Sequence, residues 1–168
     1  NLFDTLLHMG GTGPSLAQRL RKYTTGTFAG IFSQQSNIDI NNQMVVFNIR
    51  DLEDELRPVA MYIVLNHIWN ITRAQKKPRI LIVDEAWQLM QYEDSAKFLF
   101  SLAKRARKYY LGLTTITQDV EDFMSSKMGR AIVANSSMQL LLKQSASAVD
   151  VLSDVFKLTD EERKRLSN

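Results

Sequence analysis

The chain has 168 residues, of which 45% are hydrophobic and 23% charged, and it contains no cysteine. This composition fits one globular domain and excludes a collagen, a disordered tail, a disulfide scaffold and a thiolate metal site. The 21 Lys and Arg against 18 Asp and Glu give a net charge of +3, which permits nucleic acid as a partner without requiring it. Neither a membrane-spanning run nor a signal peptide is recognisable, so we expect a soluble protein that is not secreted.

The first thirty residues differ from the rest in that glycines interrupt short helical segments. The Gly-Gly-Thr-Gly-Pro stretch at 10–14 separates a short helical start from a second helical segment, for which Ser15 is the predicted cap. We therefore predict a helical subdomain or insertion over 1–36 and a regular domain over 37–168. Because the chain opens with Asn1 directly at an apolar segment, we also expect it to be part of a longer protein.

From residue 43 onwards, short β-branched runs alternate with longer amphipathic stretches, which is typical of an α/β fold with a parallel sheet and crossover helices. The predicted strands are residues 44–49, 79–83, 113–117 and 138–142. The predicted helices are residues 56–72, 95–108, a broken crossover over 119–134, and 149–166. The second strand reads as apolar, so we expect it to be buried on both faces.

Two of these helices carry further signals. The apolar positions of the helix over 56–72 lie near helical period, at Val59, Ile63, Leu65, Ile68 and Trp69. In the last helix, Thr159 stands three residues before Glu162, which indicates a capping box.

Polar residues follow each of the four predicted strands. They are Arg50 and Asp51, Asp84 and Glu85, Gln118 and Asp119, and Lys143 and Gln144. Right-handed crossovers make the strands parallel, so these residues gather along the carboxyl edge, where open α/β sheets bind ligands.

The sharpest local signal is the apolar strand that ends in Asp84 and Glu85. In a nucleotide hydrolase, the first carboxylate at such a strand end holds Mg²⁺, usually through water, and the second polarises the attacking water. The alternative is that both acids simply begin the next helix, where they favour its dipole.

Gln118 ends the neighbouring strand. Its amide suits a hydrogen bond to a γ-phosphate or to the water in line with it. The alternative is a solvated helix cap.

Four cations within five residues, Lys104, Arg105, Arg107 and Lys108, end the helix over 95–108. They fit a solvated helix end that complements the dipole. Because this helix runs back to the opposite edge, any phosphate they contact belongs to a neighbouring subunit or to nucleic acid.

The phosphate-binding loop motif G-x-x-x-x-G-K-[ST] does not occur in the 168 residues. The glycines at 10–13 lack the lysine.

The motifs Ile-Leu-Ile-Val-Asp-Glu-Ala-Trp at 80–87, Leu-Ala-Lys-Arg-Ala-Arg-Lys-Tyr at 102–109, Thr-Gln at 117–118, and Asn-Ser at 135–136 with Gln144 resemble the VirB-type conjugation and type IV secretion ATPases. Their order and spacing match over roughly residues 25–166. The combination is more specific than any single motif.

The resemblance implies a RecA-like P-loop NTPase domain with a mostly parallel sheet flanked by helices. The chain would be its Walker B half, using ATP and Mg²⁺. Asp84 would be the magnesium ligand, Glu85 the catalytic base and Gln118 the γ-phosphate sensor. Arg105 or Arg107 would act on a neighbour's nucleotide, and Gln144 matches a further nucleotide-site motif.

The implied function is a motor that hydrolyses ATP to power pilus assembly and transport of protein or DNA. The resemblance also implies a hexamer at the cytoplasmic face of the inner membrane, attached through inner-membrane and coupling subunits of the secretion system, with DNA as a possible partner. Without a Walker A loop, we expect the chain alone to be inactive. The alternatives are a DNA translocase of the same superfamily and a non-catalytic docking module.

Overall fold

The computed structural model describes residues 2–35, 39, 42–49 and 51–167. The chain divides into two compact units, Asn1–Val46 and Phe47–Asn168. The predicted boundary after residue 36 lies outside the described residues. Arg50, which follows the first predicted strand, also lies outside them.

The first unit is helical. Its helices are α1 (Leu2–His8), α2 (Gly13–Thr24) and α3 (Ala29–Phe32). α2 begins at Gly13 rather than at Ser15, with Pro14 in its first turn, where the missing N–H costs nothing. A Cβ on Gly13 would lie 2.6 Å from the Leu6 carbonyl oxygen, so glycine permits the close approach of α1 and α2.

The second unit combines helices with a small sheet. Its elements are α4 (Arg57–Ala74), β1 (Arg79–Val83), α5 (Trp87–Met90), α6 (Glu93–Ala106), β2 (Leu111–Thr115), α7 (Val120–Ser125), α8 (Lys127–Asn135), α9 (Ala146–Phe156) and α10 (Asp160–Ser167). A 3₁₀ turn over Arg107–Tyr109 joins α6 to β2. None of the helices in the described ranges has the length and apolar character needed to cross a membrane.

β1 and β2 are parallel, with Arg79 opposite Leu111 and Val83 opposite Thr115. The second of these strands therefore begins two residues earlier than predicted. The helix between them, predicted over 95–108, is confirmed as α6. Two neighbouring parallel strands joined by a crossover helix bring their carboxyl ends side by side.

Two predicted strands are not formed. Residues 44–49 and 138–142 have no strand pairing in the described structure. Along the second segment, Met138, Leu140 and Leu142 are exposed. The reason is physical: an extended segment becomes a strand only when a neighbour accepts and donates its ladder hydrogen bonds, and alternation of side chains does not reveal whether that neighbour exists.

The core of the second unit lies on one face of the sheet. Leu89, Leu99 and Leu102 are almost completely buried, and they pack with α4 and with Leu81 on β1. On the opposite face, Ile80 and Ile82 are 76% and 61% exposed. The prediction that this strand is buried on both faces is therefore wrong, because the described helices cover only one of them.

α4 confirms the predicted helix, and of its predicted apolar positions it buries Leu65 and Trp69 but not Ile63. Its buried residues are Met61, Leu65, Trp69 and Thr72, whereas Ile63 is 47% exposed. This helix is apolar on several sides, so sequence periodicity does not select the side that meets the sheet.

The helix predicted over 149–166 is two helices. Lys157, with φ of 55°, ends α9 in the left-handed region, and α10 starts after Thr159. The predicted capping box is confirmed, since the Thr159 N–H and hydroxyl both donate to Glu162 Oε2 at 2.8 Å. The broken crossover is also confirmed, with Ser126 capping α8.

Candidate active site

The carboxyl end of β1 is tied to the carboxyl end of β2. The Ile116 N–H donates to the Val83 carbonyl at 2.9 Å, and the Ala86 N–H donates to the Ile116 carbonyl at 2.9 Å. These two hydrogen bonds bracket Asp84 and Glu85. The two carboxylates are thereby fixed on a short exit turn beside the neighbouring strand.

Glu85 has a left-handed backbone, with φ of 51°. A non-glycine residue in this region pays a steric cost, and such residues cluster at functional sites. The Asp84 carboxylate stabilises the turn, because its Oδ1 accepts the Glu85 N–H at 2.9 Å.

Both carboxylate oxygens of Glu85 accept a hydrogen bond. Gln118 Nε2 donates to Oε1 at 2.7 Å, and Trp87 Nε1 donates to Oε2 at 2.6 Å. Two donors from different elements define the orientation of the carboxylate. The structure thus brings together Glu85 and Gln118, which the sequence placed on adjacent strand ends.

Gln118 does not cap a helix. Asp119 is the N-cap of α7, since its Oδ1 accepts the Asp122 N–H at 2.8 Å. The Thr117 hydroxyl donates to the Asp119 carbonyl at 2.9 Å, which shapes the turn that carries Gln118. The Gln118 side-chain amide does not cap the helix and donates to Glu85 at the carboxyl edge of the sheet. The alternative of a solvated helix cap is therefore contradicted.

Asp84 is exposed beside this pair. No group of three or more His, Cys, Asp or Glu that suits a metal exists within the described ranges. A single exposed carboxylate fits Mg²⁺ in the mode where phosphates and water complete the octahedron. The donor set fits a nucleotide-bound cation and not a metal held by protein alone.

Trp87 is a residue of the candidate site that the sequence analysis does not single out. Its ring contacts the core, and its indole N–H donates to Glu85 Oε2. The available signal was that a partly buried indole needs a hydrogen-bond acceptor, and a carboxylate stands two residues away.

Arg105 and Arg107 lie at the other end of the sheet. The Arg105 guanidinium stands 5.0 Å from the centre of the Trp69 ring, and its Nε donates to the Ser101 carbonyl at 3.0 Å. Arg107 is exposed in the 3₁₀ turn. Within one chain, these cations are separated from Glu85 by the length of β1, roughly 15 Å.

Gln144 follows the unpaired segment 138–142 and is partly buried. Its backbone N–H donates to the Leu166 carbonyl at 2.9 Å. This hydrogen bond places it against the end of α10.

Comparisons with known proteins identify the family of the chain. Residues 15–167 match the family model described as the TraG P-loop domain. Protein TraC of Escherichia coli (strain K12) is 33% identical over 140 residues, which are 76% of this chain and 16% of TraC. The solved structure of VirB4 of Thermoanaerobacter pseudethanolicus has a TM-score of 0.83 and 26% identity, over 98% of this chain and 46% of that one.

The chain thus spans less than half the length of either relative. The structural likeness confirms the predicted α/β P-loop fold. The chain belongs to the TraG P-loop domain family, which confirms its predicted resemblance to the VirB4/TraC-type proteins of conjugation and type IV secretion.

Proposed function

We propose that this chain carries the water-activating part of an ATP hydrolysis site. The observation that carries the proposal is the Gln118 to Glu85 hydrogen bond of 2.7 Å across two parallel strand ends. A carboxylate and an amide in this position can serve a reacting water and the phosphate it attacks.

In the proposed reaction, water attacks the γ-phosphorus of ATP and the bond to the β,γ-bridging oxygen breaks, which releases ADP and phosphate. Glu85 accepts the proton of the attacking water, and Gln118 orients that water or donates to the γ-phosphate. Trp87 keeps the Glu85 carboxylate turned towards the edge. Mg²⁺, held by Asp84 through water, would neutralise charge on the phosphate oxygens.

The role of the full-length protein is inferred from its family. We propose that the full-length protein powers pilus assembly and transport of protein or DNA, as a hexamer at the cytoplasmic face of the inner membrane. It would attach there through inner-membrane and coupling subunits of the secretion system. Arg105 or Arg107 would reach the nucleotide of a neighbouring copy. Gln144 would contribute to the nucleotide site of its own chain, with Asp84, Glu85 and Gln118.

We also propose that this chain alone does not turn over ATP. Its sequence contains no Gly-x-x-x-x-Gly-Lys-Ser/Thr loop to hold the phosphates. Steady-state MgATP hydrolysis by the chain and by the full-length protein, measured side by side, tests this statement.

The decisive test is Glu85→Gln in the full-length protein. We expect kcat to fall by about 100-fold or more, with nucleotide affinity retained, because the amide cannot accept the proton. Glu121→Gln is the matched control, since Glu121 is an exposed acid in the first turn of α7. Equal turnover by the Glu85→Gln and unmodified proteins would refute the motor and favour a docking module.

A further inference from the structure

Eight cations collect at the end of the sheet opposite Glu85. They are Arg73, Lys76, Lys77, Arg79, Lys104, Arg105, Arg107 and Lys108, and we call them the basic end. Both α4 and α6 finish here, and both β1 and β2 start here. The basic end is therefore assembled from four elements and the segments that join them.

Direct contacts hold these segments together. The Trp69 ring of α4 packs edge-on against the Tyr109 ring with centroids 4.9 Å apart, and Arg105 of α6 stacks over the same indole. The Arg79 N–H donates to the Tyr110 carbonyl at 3.0 Å. The cations are thus neighbours in space as well as in sequence.

No carboxylate accompanies them on these segments. The sequence has no Asp or Glu between Glu55 and Asp84, or between Asp94 and Asp119. Three ion pairs among the described residues, Arg57–Asp54, Lys97–Glu93 and Arg163–Asp150, lie elsewhere. Taking these eight from the 21 cations would turn the net charge of +3 into −5. The net positive charge of the chain therefore depends on the basic end.

The eight cations divide into two groups. Arg79 donates to the Gln75 carbonyl at 2.6 Å, Arg105 is held by Ser101 and Trp69, and the Lys104 ammonium lies 4.5 Å from the centre of the Phe100 ring, so these three stabilise the local structure. The cations at 73, 76, 77, 107 and 108 are exposed. Arg107 has a separate proposed role at the nucleotide of a neighbouring copy, and the other four cations of this second group are available to a polyanion.

Tyr110 adds an aromatic surface beside the exposed cations. It is 63% exposed and has φ of 56°, in the left-handed region. Its backbone is fixed by the bond to Arg79, whereas its ring faces solvent. An exposed ring among cations is the combination that binds single-stranded nucleic acid, where bases stack and phosphates meet Lys and Arg.

We propose that the basic end binds the phosphate backbone of single-stranded nucleic acid, with a base stacked on Tyr110. This goes beyond the hydrolysis site, because it uses the opposite edge of the sheet. An anionic membrane is the less favoured partner. The cations lie on several helix ends and a loop, and not on the polar face of one amphipathic helix whose apolar face inserts into lipid.

The test is binding of a fluorescently labelled 20-mer of deoxythymidylate to the full-length protein, followed by anisotropy without ATP over a range of salt concentrations. Lys76→Glu with Lys77→Glu is the main variant, and Lys164→Glu with Arg165→Glu, exposed on α10, is the matched control. We expect the main variant to lose about tenfold or more in affinity, and the control to lose little. Removing two phosphate contacts lowers the salt slope by about 1.4.

Two further variants sharpen the result. Tyr110→Ala is expected to weaken the single strand about tenfold and a duplex of equal length much less, because only the single strand offers an unstacked base. Lys76→Gln with Lys77→Gln repeats the charge loss without reversal, and a thermal unfolding scan checks that each variant folds.

Three outcomes would overturn the proposal. They are no binding of the 20-mer, equal losses in the main variant and its control, and binding of phosphatidylserine vesicles without binding of the 20-mer. The assay contains no ATP, so it does not depend on hydrolysis. Glu85→Gln that loses turnover but binds the 20-mer normally would separate the two proposals.

Discussion

Gln118 and Glu85 lie 33 residues apart in sequence, yet the amide of one donates to the carboxylate of the other at 2.7 Å. The parallel pairing of β1 and β2 creates this contact, since it aligns Val83 with Thr115. If the two side chains act as a unit, their substitutions must be non-additive.

Gln118→Leu is expected to lower kcat by about 100-fold with nucleotide affinity retained, because a donor to the reacting groups is removed. The double variant with Glu85→Gln should be little worse than Glu85→Gln alone. Steady-state hydrolysis and fluorescent nucleotide binding measure both quantities. Gln91→Leu, at an exposed glutamine just after α5, is the control, and fully additive losses would show that the two residues act separately.

Trp87→Phe is expected to lower kcat by about 10- to 100-fold, because the ring still packs but no longer donates to Glu85 Oε2. Trp87→His, which restores a ring N–H, should recover part of the loss. A purely structural role would change the unfolding temperature and would show no rescue by His. Tyr92→Phe, at a half-exposed aromatic before α6, controls for loss of a polar atom nearby.

Thr72 and Ser95 make opposite predictions for stability. Thr72 is completely buried and its hydroxyl has no hydrogen-bond partner, so Thr72→Val should stabilise the fold by about 1 kcal/mol. The buried Ser95 hydroxyl donates to the Leu89 carbonyl at 2.6 Å, so Ser95→Ala should destabilise it by about 1 kcal/mol. Urea unfolding of the second unit measures both, and equal signs would contradict the hydrogen-bond assignment.

α10 should be sensitive to acid. The pKa of Glu162 lies below its ordinary value, first because the Thr159 backbone N–H donates to the carboxylate and second because the Thr159 hydroxyl does. Because the folded pKa lies below the unfolded one, this stabilisation is complete above the unfolded pKa and is lost as pH falls through the folded pKa. NMR titration of Glu162 and amide exchange in α10 measure the effect. Thr159→Ala should weaken it, because the hydroxyl donor is lost while the backbone N–H remains, and Glu161→Gln should leave it unchanged.

The sequence predicts the contact between the two strand ends at Glu85 and Gln118 better than it predicts the sheet. The runs ending at Asp84 and Gln118 are local signals, and parallel pairing follows from the crossover helix between them. The unpaired segment 138–142 and the exposed side of β1 depend on which neighbours are present, and periodicity carries no information about neighbours. The hydrogen bond from the Trp87 indole N–H to Glu85 depends on the left-handed backbone at Glu85. Glutamate does not favour this backbone conformation, so the sequence does not predict the contact.

The left-handed turn couples backbone strain to the proposed base at a single residue. Glycine occupies the left-handed region at no steric cost, so Glu85→Gly should relieve about 1 kcal/mol of backbone strain. The same substitution removes the acceptor of the hydrogen bonds from Gln118 and Trp87, which offsets that relief. A search for heat-resistant variants of this protein would therefore gain little from glycine at position 85, although the backbone there favours it.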